Sequence, residues 1–161
     1  KTAYEIPLRL VGSEMCIRDR LYLKDEQLKD LIEKLFIVYR DTFTDPKKIL
    51  NKYSIGTAHH KVIHLISTYE GISISELLKK LKITKQSLNR VLKDLTKLDI
   101  IKFEKDEQDT RIKHVYLNEK GEKIFLEIFE TQKKRIYNAL LNSSSDEVVS
   151  FDKVLKKIIN G

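Results

Sequence analysis

The chain has 161 residues and a formal net charge of +7, with 41% hydrophobic and 34% charged residues. This length fits one domain with a sizeable core, and the positive charge favours an anionic partner such as nucleic acid or a membrane surface. No apolar run approaches the roughly 18 residues that a membrane-spanning helix needs, so the sequence predicts no membrane segment.

Residues 1–20 read KTAYEIPLRLVGSEMCIRDR and resemble the translation of a sequencing-library adapter. We expect this segment to lie outside the fold; the alternative is a basic leader peptide. It contains Cys16, the sole cysteine of the chain. Residues 21–161 therefore cannot form a disulfide, a thiolate metal site or a thiol redox switch, which fits a cytoplasmic protein.

Apolar residues recur at helical spacing in the segment that follows. This spacing predicts one long helix. Its apolar side consists of Leu28, Leu31, Ile32, Leu35, Phe36, Tyr39 and Phe43. Asp45 and Pro46 form an N-cap and first-turn pair that predicts a second helix. Gly56 interrupts this helix, and Thr57 opens a third one that stops before Gly71.

Residues 73–98 predict two helices joined by a sharp turn. Ser73 and Glu76 form a capping box, so a helix should begin at Ile74, and Thr84 is a good N-cap for the next helix. The second helix has an apolar sector of Leu88, Val91, Leu92 and Leu95, with Gln86, Asn89, Arg90, Lys93 and Lys97 opposite. Amides and guanidinium groups pair with base edges, and cations pair with phosphate. The alternative is an ordinary solvated helix face.

The sequence changes period after Asp99. Residues 100–105 and 111–117 alternate roughly apolar and polar on either side of an acidic turn at 106–110, which predicts a β-hairpin wing. Asp109 stands two residues before Arg111 and can brace its guanidinium for insertion into a minor groove. The alternative is a solvated hairpin with an incidental ion pair.

Two further helices are predicted after Gly121. The first carries Ile124, Phe125, Ile128, Phe129, Ile136 and Leu140 on one face, and the last carries Val148, Phe151, Leu155, Ile158 and Ile159 after a capping box of Ser144 and Glu147. One chain of this size could not easily cover the apolar stripes at both ends. We therefore expect the terminal helices to pair across a two-fold axis; the alternative is a monomeric helical packing.

Three histidines cluster on the predicted third helix. His60 and His64 are spaced i, i+4 and could share a metal or a ligand, but no third ligand of recognisable pattern lies near them. A packed or interface surface is the alternative for this pair. We predict no metal, no other cofactor and no enzymatic activity, because the sequence contains no phosphate loop, nucleophile motif or paired acids.

Two motifs resemble the MarR family of bacterial transcription regulators. The family's D-x-R wing motif is present as Asp109-Thr110-Arg111, and its L-T-x-x-G hairpin exit as Leu117-Asn118-Glu119-Lys120-Gly121, with Asn118 where Thr is usual. The strings GTAHH at 56–60 and ITKQSL at 83–88 are similar to a narrower, PetP-like branch of the family. The broad resemblance covers roughly residues 24–160.

The resemblance implies a mainly α fold with a small β-hairpin wing (α+β). A winged helix-turn-helix at 57–117 would be flanked by dimerisation helices at 21–56 and 118–161, within a single domain over 21–161. It implies a homodimer that regulates transcription at a palindromic operator in double-stranded DNA; the alternative is a winged-helix protein-interaction module without DNA readout. The predicted DNA-binding residues are Thr84, Lys85, Gln86, Ser87, Asn89, Arg90, Lys93, Lys97, Asp109 and Arg111. A small-molecule effector is also implied, with Tyr39, His59 and His60 as candidate contacts.

Overall fold

The computed structural model describes residues 24–161, so the expectation for residues 1–20 lies outside the described residues. The chain divides into two units between Asp41 and Thr42. Apart from Lys24, the described part of the first unit belongs to helix α1, which runs over Asp25–Thr44. No residue of α1 is buried, and apolar side chains such as Ile32 and Phe36 are 66% and 60% exposed. The single domain over 21–161 stays a prediction.

The second unit holds the remaining elements. In chain order they are α2 (Lys47–Lys52), α3 (Thr57–Thr68), β1 (Ile72–Ser73), α4 (Ile74–Leu81), α5 (Lys85–Lys97), β2 (Ile101–Lys105), β3 (Lys113–Leu117), α6 (Glu119–Leu141) and α7 (Ser145–Asn160). The predicted order of two short helices, a hairpin and a new long helix is confirmed. The fold is mainly α with a small antiparallel sheet.

The sheet has three strands in the order β1-β3-β2, and both neighbouring pairs are antiparallel. Ile101 pairs with Leu117 and Lys105 with Lys113, which confirms the hairpin wing. The sequence analysis missed strand β1, where Ile72 pairs with Val115. Two residues are too few to show the alternation by which a strand is recognised. Strand β1 lies just before α4 and pairs with β3, so it connects the helix-turn-helix to the base of the wing.

One hydrophobic core lies beneath the helix-turn-helix and the sheet. Leu88 and Leu95 of α5 are completely buried, as are Leu77 of α4 and Val115 of β3. The rest of the core cluster is Leu50, Ile55, Val62, Ile63, Ile66, Ile72, Val91, Leu92, Ile100, Ile101, Leu117, Ile124 and Ile128. Because the apolar side of α5 packs into this core, the opposite side of the helix faces solvent.

Polar caps fix where the helices begin. The Ser73 hydroxyl accepts from the Glu76 amide at 3.2 Å, and the Glu76 carboxylate accepts from the Ser73 amide at 2.9 Å, as the capping box predicts. Thr84 caps α5, because its hydroxyl accepts from the Ser87 amide at 3.2 Å. Lys82 has a left-handed backbone (φ 51°) and forms the turn between α4 and α5.

The prediction that Asp45 caps the second helix is wrong. Pro46 occupies the N-cap position of α2, which has no side-chain cap. The Asp45 carboxylate instead accepts from Nε and Nη2 of Arg135 on α6, both at 2.7 Å. A bidentate pair with a guanidinium supplies two charge-assisted bonds, whereas a capping bond to one amide supplies a single bond. The sequence offers no local sign of a partner 90 residues away.

The start of α6 is joined to the end of α5 through Asn118. Its side-chain oxygen accepts from the Gly121 amide at 2.9 Å, and its side-chain nitrogen donates to the Asp99 carbonyl at 2.8 Å. Gly121 is buried against Ile100: a Cβ there would lie 2.2 Å from the Ile100 carbonyl oxygen. Asn118, where Thr is usual, therefore caps α6 and also holds the turn before the wing.

Candidate nucleic-acid interface

The outward side of α5 presents polar groups that are free to bind. Gln86, Asn89 and Arg90 are exposed, and none of their side chains makes a hydrogen bond or ion pair within residues 24–161. Lys85, Lys93 and Lys97 are exposed on the same helix. The amphipathic pattern therefore correctly predicted an exposed position for five of these residues, all except Lys85, which it did not cover.

Thr84 and Ser87, also predicted to bind DNA, are engaged with each other. The Thr84 hydroxyl donates to the Ser87 hydroxyl at 2.8 Å in addition to capping the helix. Both residues are exposed at the N-terminus of α5. They set the start of the helix that carries Gln86 and Asn89.

A groove of about 570 Å³ separates α5 from the wing. Asn89, Lys93 and Lys97 line it from α5, and Phe103 and Lys113 line it from the two wing strands. The sequence analysis did not single out Phe103 or Lys113. Phe103 and Lys113 lie on one face of the sheet because Lys113 pairs with Lys105, two residues after Phe103 on the neighbouring strand. The sequence alone did not give this register.

The wing carries the predicted pair of Asp109 and Arg111. The Asp109 carboxylate accepts from Arg111 Nε at 3.0 Å, from Nη2 at 3.1 Å and from the Arg111 amide at 3.0 Å. The Arg111 guanidinium and amide lower the pKa of Asp109 below its usual value. The Arg111 side chain is nevertheless 87% exposed. Both residues thus lie on the wing with the guanidinium orientation fixed and its outer edge open.

Another hydrogen-bonded group lies beneath the tip of the wing. His114 on β3 contacts the Asp106 carboxylate at the end of β2 and the Gly71 carbonyl before β1, through its two ring nitrogens. The sequence analysis did not single out either side chain. Nothing in the linear pattern indicated the contact with Gly71, which depends on the unpredicted strand β1.

The histidines of α3 have three different environments. His60 is completely buried, and its Nε2 lies 3.2 Å from the side-chain oxygen of Gln132 on α6. Burial lowers the pKa of His60 to about 4. His59 Nδ1 accepts from the Gly56 amide at 3.1 Å, and its Nε2 lies 3.5 Å from the Asp94 carboxylate on α5. His64 is half-buried, and burial lowers its pKa as well.

An apolar cavity of about 520 Å³ lies beside α6. Its lining consists of Thr42, Phe43, His64, Phe129, Gln132, Lys133, Ile136, Tyr137 and Leu140. His59 and His60, two of the predicted effector contacts, do not line this cavity; His60 packs behind it against Phe43, with ring centroids 5.2 Å apart. Tyr39 is 47% exposed on the α1 segment of the first unit.

Residues 24–161 contain no cluster of three or more His, Cys, Asp or Glu side chains that could hold a metal ion. Within the same range, no helix is both long and apolar enough to cross a membrane.

Comparison with known proteins agrees with this geometry. The sequence profile of the MarR family matches residues 53–112. The chain is also 36% identical over 140 residues to the transcriptional regulator PetP of Rhodobacter capsulatus, covering 87% of this chain and 84% of PetP. The chain belongs to the MarR family. It is therefore a DNA-binding transcription regulator of the MarR type, and the predicted resemblance to this family is confirmed.

Solved MarR-family structures share the fold at low sequence identity. Staphylococcus aureus MarR in complex with salicylate and kanamycin superposes with a TM-score of 0.67 at 22% identity, covering 83% of this chain and 91% of that one. A mutant of S. aureus MepR bound to an oligodeoxyribonucleotide gives a TM-score of 0.55 at 18% identity, with 80% and 96% coverage. These matches confirm the winged-helix architecture.

Proposed function

We propose that this regulator binds a palindromic site in double-stranded DNA as a homodimer, with α5 in the major groove and the wing on the flanking minor groove. The observation that carries the proposal is the outward side of α5, where Gln86, Asn89 and Arg90 are exposed and unpaired within the described chain. The fold shared with the oligonucleotide-bound MepR mutant supports this placement.

Each side chain has a role that follows from its chemistry. Gln86 and Asn89 can pair with adenine edges, and Arg90 with guanine O6 and N7. Lys93 and Lys97 line the groove towards the wing and neutralise phosphates, which contributes affinity without sequence preference. Arg111, braced by Asp109, enters the narrow minor groove beside the half-site.

Substitutions on α5 distinguish base reading from phosphate binding. Arg90→Ala should cost about 1–3 kcal/mol on the preferred site and relax the preference at one base pair. Lys93→Ala should weaken all sequences alike and lower the salt slope by about one unit. Titrations over a salt series with specific and scrambled duplexes measure both effects, and Lys153→Ala on the polar side of α7 is the control. If Arg90→Ala and Lys93→Ala both bind like Lys153→Ala and the parent, the interaction-module alternative is favoured.

Exposed apolar faces on the terminal helices support the homodimer. Helix α7 has no buried residue, and Phe151 and Ile158 are 55% and 51% exposed. On α6, Tyr137 is 61% exposed. Leaving such large apolar surfaces in water is unfavourable, and a second copy would bury them.

Sedimentation of two α7 variants tests this assembly. Ile158→Asp adds a charge to the apolar face and should shift the protein from dimer to monomer. Ser150→Asp adds the same charge to the polar side of α7 and should leave the dimer intact. A dimer of unchanged stability in Ile158→Asp would contradict the pairing through α7.

The cavity beside α6 is a further candidate effector site, besides the contacts predicted at Tyr39, His59 and His60, which stay a prediction. Its apolar lining, with Gln132 and Lys133 at one side, fits a small apolar molecule that bears a polar or anionic group. Staphylococcus aureus MarR in complex with salicylate and kanamycin supports the proposal, since a protein of this fold binds small molecules. Ile136→Trp should fill the cavity and abolish any ligand-induced rise in melting temperature. As a DNA-bound regulator, the protein would act in the cytoplasm.

A further inference from the structure

A chain of hydrogen bonds connects the base of the wing to Arg111. His114 Nδ1 lies 2.6 Å from the Gly71 carbonyl oxygen, and Nε2 lies 3.0 Å from Asp106 Oδ2. Asp106 Oδ1 accepts from the amides of Gln108 and Asp109 at 2.8 and 2.9 Å. Asp109 in turn holds Arg111. One carboxylate therefore closes the wing loop and connects it to the sheet.

Both partners of His114 are hydrogen-bond acceptors. A backbone carbonyl cannot donate, and Asp106 already accepts two amide bonds, as an ionised carboxylate does. A neutral imidazole has only one N–H and can satisfy only one of the two partners. Both bonds form together only when His114 is an imidazolium.

We propose that His114, as an imidazolium, is a positioning residue that holds the wing loop and Arg111 in the orientation that contacts DNA, so that DNA affinity depends on pH. This inference rests on the proposed contact between the wing and DNA. Neither His114 nor Asp106 needs to touch the duplex itself. Their hydrogen bonds restrict the conformations of the wing loop before DNA binds. Ordering Arg111 on the DNA then costs less conformational entropy.

The surrounding charges favour the protonated ring. Asp106 faces His114 from the loop, Glu76 from α4 and Glu104 from the opposite position on β2. Tyr116 and Lys113 are its nearest titratable neighbours along β3, and Lys102 on β2 is paired with Glu104. The Asp106 carboxylate, and then the Gly71 carbonyl, raise the pKa of His114 above its ordinary value near 6.5.

The direction of the pH effect follows from these two groups. Because the pKa of His114 is raised in the folded protein, its contribution is complete below pH 6.5 and is lost as the pH rises through the raised value. The pKa of Asp106 is lowered to about 2, so the carboxylate stays ionised down to strongly acidic pH. The wing should therefore be best ordered in mildly acidic solution and loosen in alkaline solution.

Two charge-matched variants of the wing loop separate positioning from simple electrostatics. Asp106→Asn and Glu107→Gln each remove one negative charge near the DNA, but Glu107 makes no hydrogen bond or ion pair within residues 24–161. Charge removal alone should strengthen binding in both. We expect Glu107→Gln to bind at least as tightly as the parent and Asp106→Asn to bind roughly threefold to tenfold more weakly, the net size of one ordinary hydrogen bond. Equal or tighter binding by Asp106→Asn than by Glu107→Gln would overturn the proposal.

A pH series at constant ionic strength gives a second test. If His114 only supported the fold, protonation of its ring would not change the DNA affinity. Affinity of the parent should fall as the pH rises above 6.5, and the affinity of His114→Gln should be flat over the same series. In nuclear magnetic resonance titrations, the His114 ring should titrate at a higher pH in the parent than in Asp106→Asn. The proposal would be overturned if the DNA affinity of the parent and of His114→Gln had the same pH dependence. It would also be overturned if the His114 ring titrated alike in the parent and in Asp106→Asn.

The Arg111→Ala variant distinguishes this failure from failure of the proposed function. If Arg111→Ala binds DNA like the parent, the wing does not contact DNA, and the proposed function of the wing fails together with this inference. If Arg111→Ala weakens binding but Asp106→Asn does not, the wing contact stands and only the positioning role of His114 is overturned.

Discussion

Acidification should destabilise the protein through the buried ring of His60. The Gln132 side-chain oxygen can only accept, so the proton of the neutral ring lies on Nε2. Nδ1 is buried and has no hydrogen-bond partner within the described chain. Uptake of a second proton would create a buried N–H without an acceptor and a buried charge, which is why the pKa of His60 falls to about 4.

The size of the effect follows from this pKa. A histidine of the unfolded chain titrates near 6.5, so between pH 6.5 and pH 4 the unfolded state binds one proton more than the folded state. Each pH unit then removes about 1.4 kcal/mol from the free energy of unfolding. Over the whole interval the loss reaches about 3 kcal/mol, a large share of the roughly 5–15 kcal/mol of a typical domain.

Urea denaturation at a series of pH values measures this loss. The parent should lose about 3 kcal/mol more than His60→Gln between pH 6.5 and pH 4, because all other titrating groups are common to both proteins. The comparison uses the pH dependence and not the absolute stability, so any packing cost of the substitution cancels. Parallel curves for the two proteins would refute the reasoning.

Two further substitutions test the packing that positions α5 and the wing. Gly121→Ala places a Cβ 2.2 Å from the Ile100 carbonyl oxygen, so it should cost about 1–3 kcal/mol despite the better helix propensity of alanine. Urea denaturation checks this, and an unchanged or raised stability would contradict the close approach. Thr84→Ala removes the cap of α5 and should cost about 1 kcal/mol. The same measurement checks it, with Thr84→Ser, which keeps the hydroxyl, expected to stay within a few tenths of the parent.

The sequence revealed the elements whose signals are local. The capping box at Ser73 depends on spacing between neighbours, and so does the apolar sector around Leu88 on α5. The brace between Asp109 and Arg111 was recognisable for the same reason, since the two residues are close in the chain. For the polar residues of α5 opposite its apolar sector, correct placement on the exposed side required only the helical period.

The features that the sequence did not reveal depend on distant partners. The sequence predicts Asp45 as a helix cap, but in the structure its carboxylate pairs with Arg135 on another helix. The sequence left His60 open between a ligand and a packed residue, and contacts with Phe43 and Gln132 bury it. The contact of His114 with Gly71 requires a two-residue strand. Burial and long-range pairing decide these roles, and neither has a fixed spacing in the sequence.

Selection of duplexes from a random pool tests most directly whether α5 reads DNA sequence. The parent should enrich an inverted repeat whose half-sites lie about one helical turn apart, or a multiple of it, since each copy of α5 would enter one major groove. Arg90→Ala should enrich the same repeat, but with weaker base preference at one position of each half-site. Failure of the parent to enrich any repeat, or an identical motif from Arg90→Ala, would contradict the assignment of base reading to this side of α5.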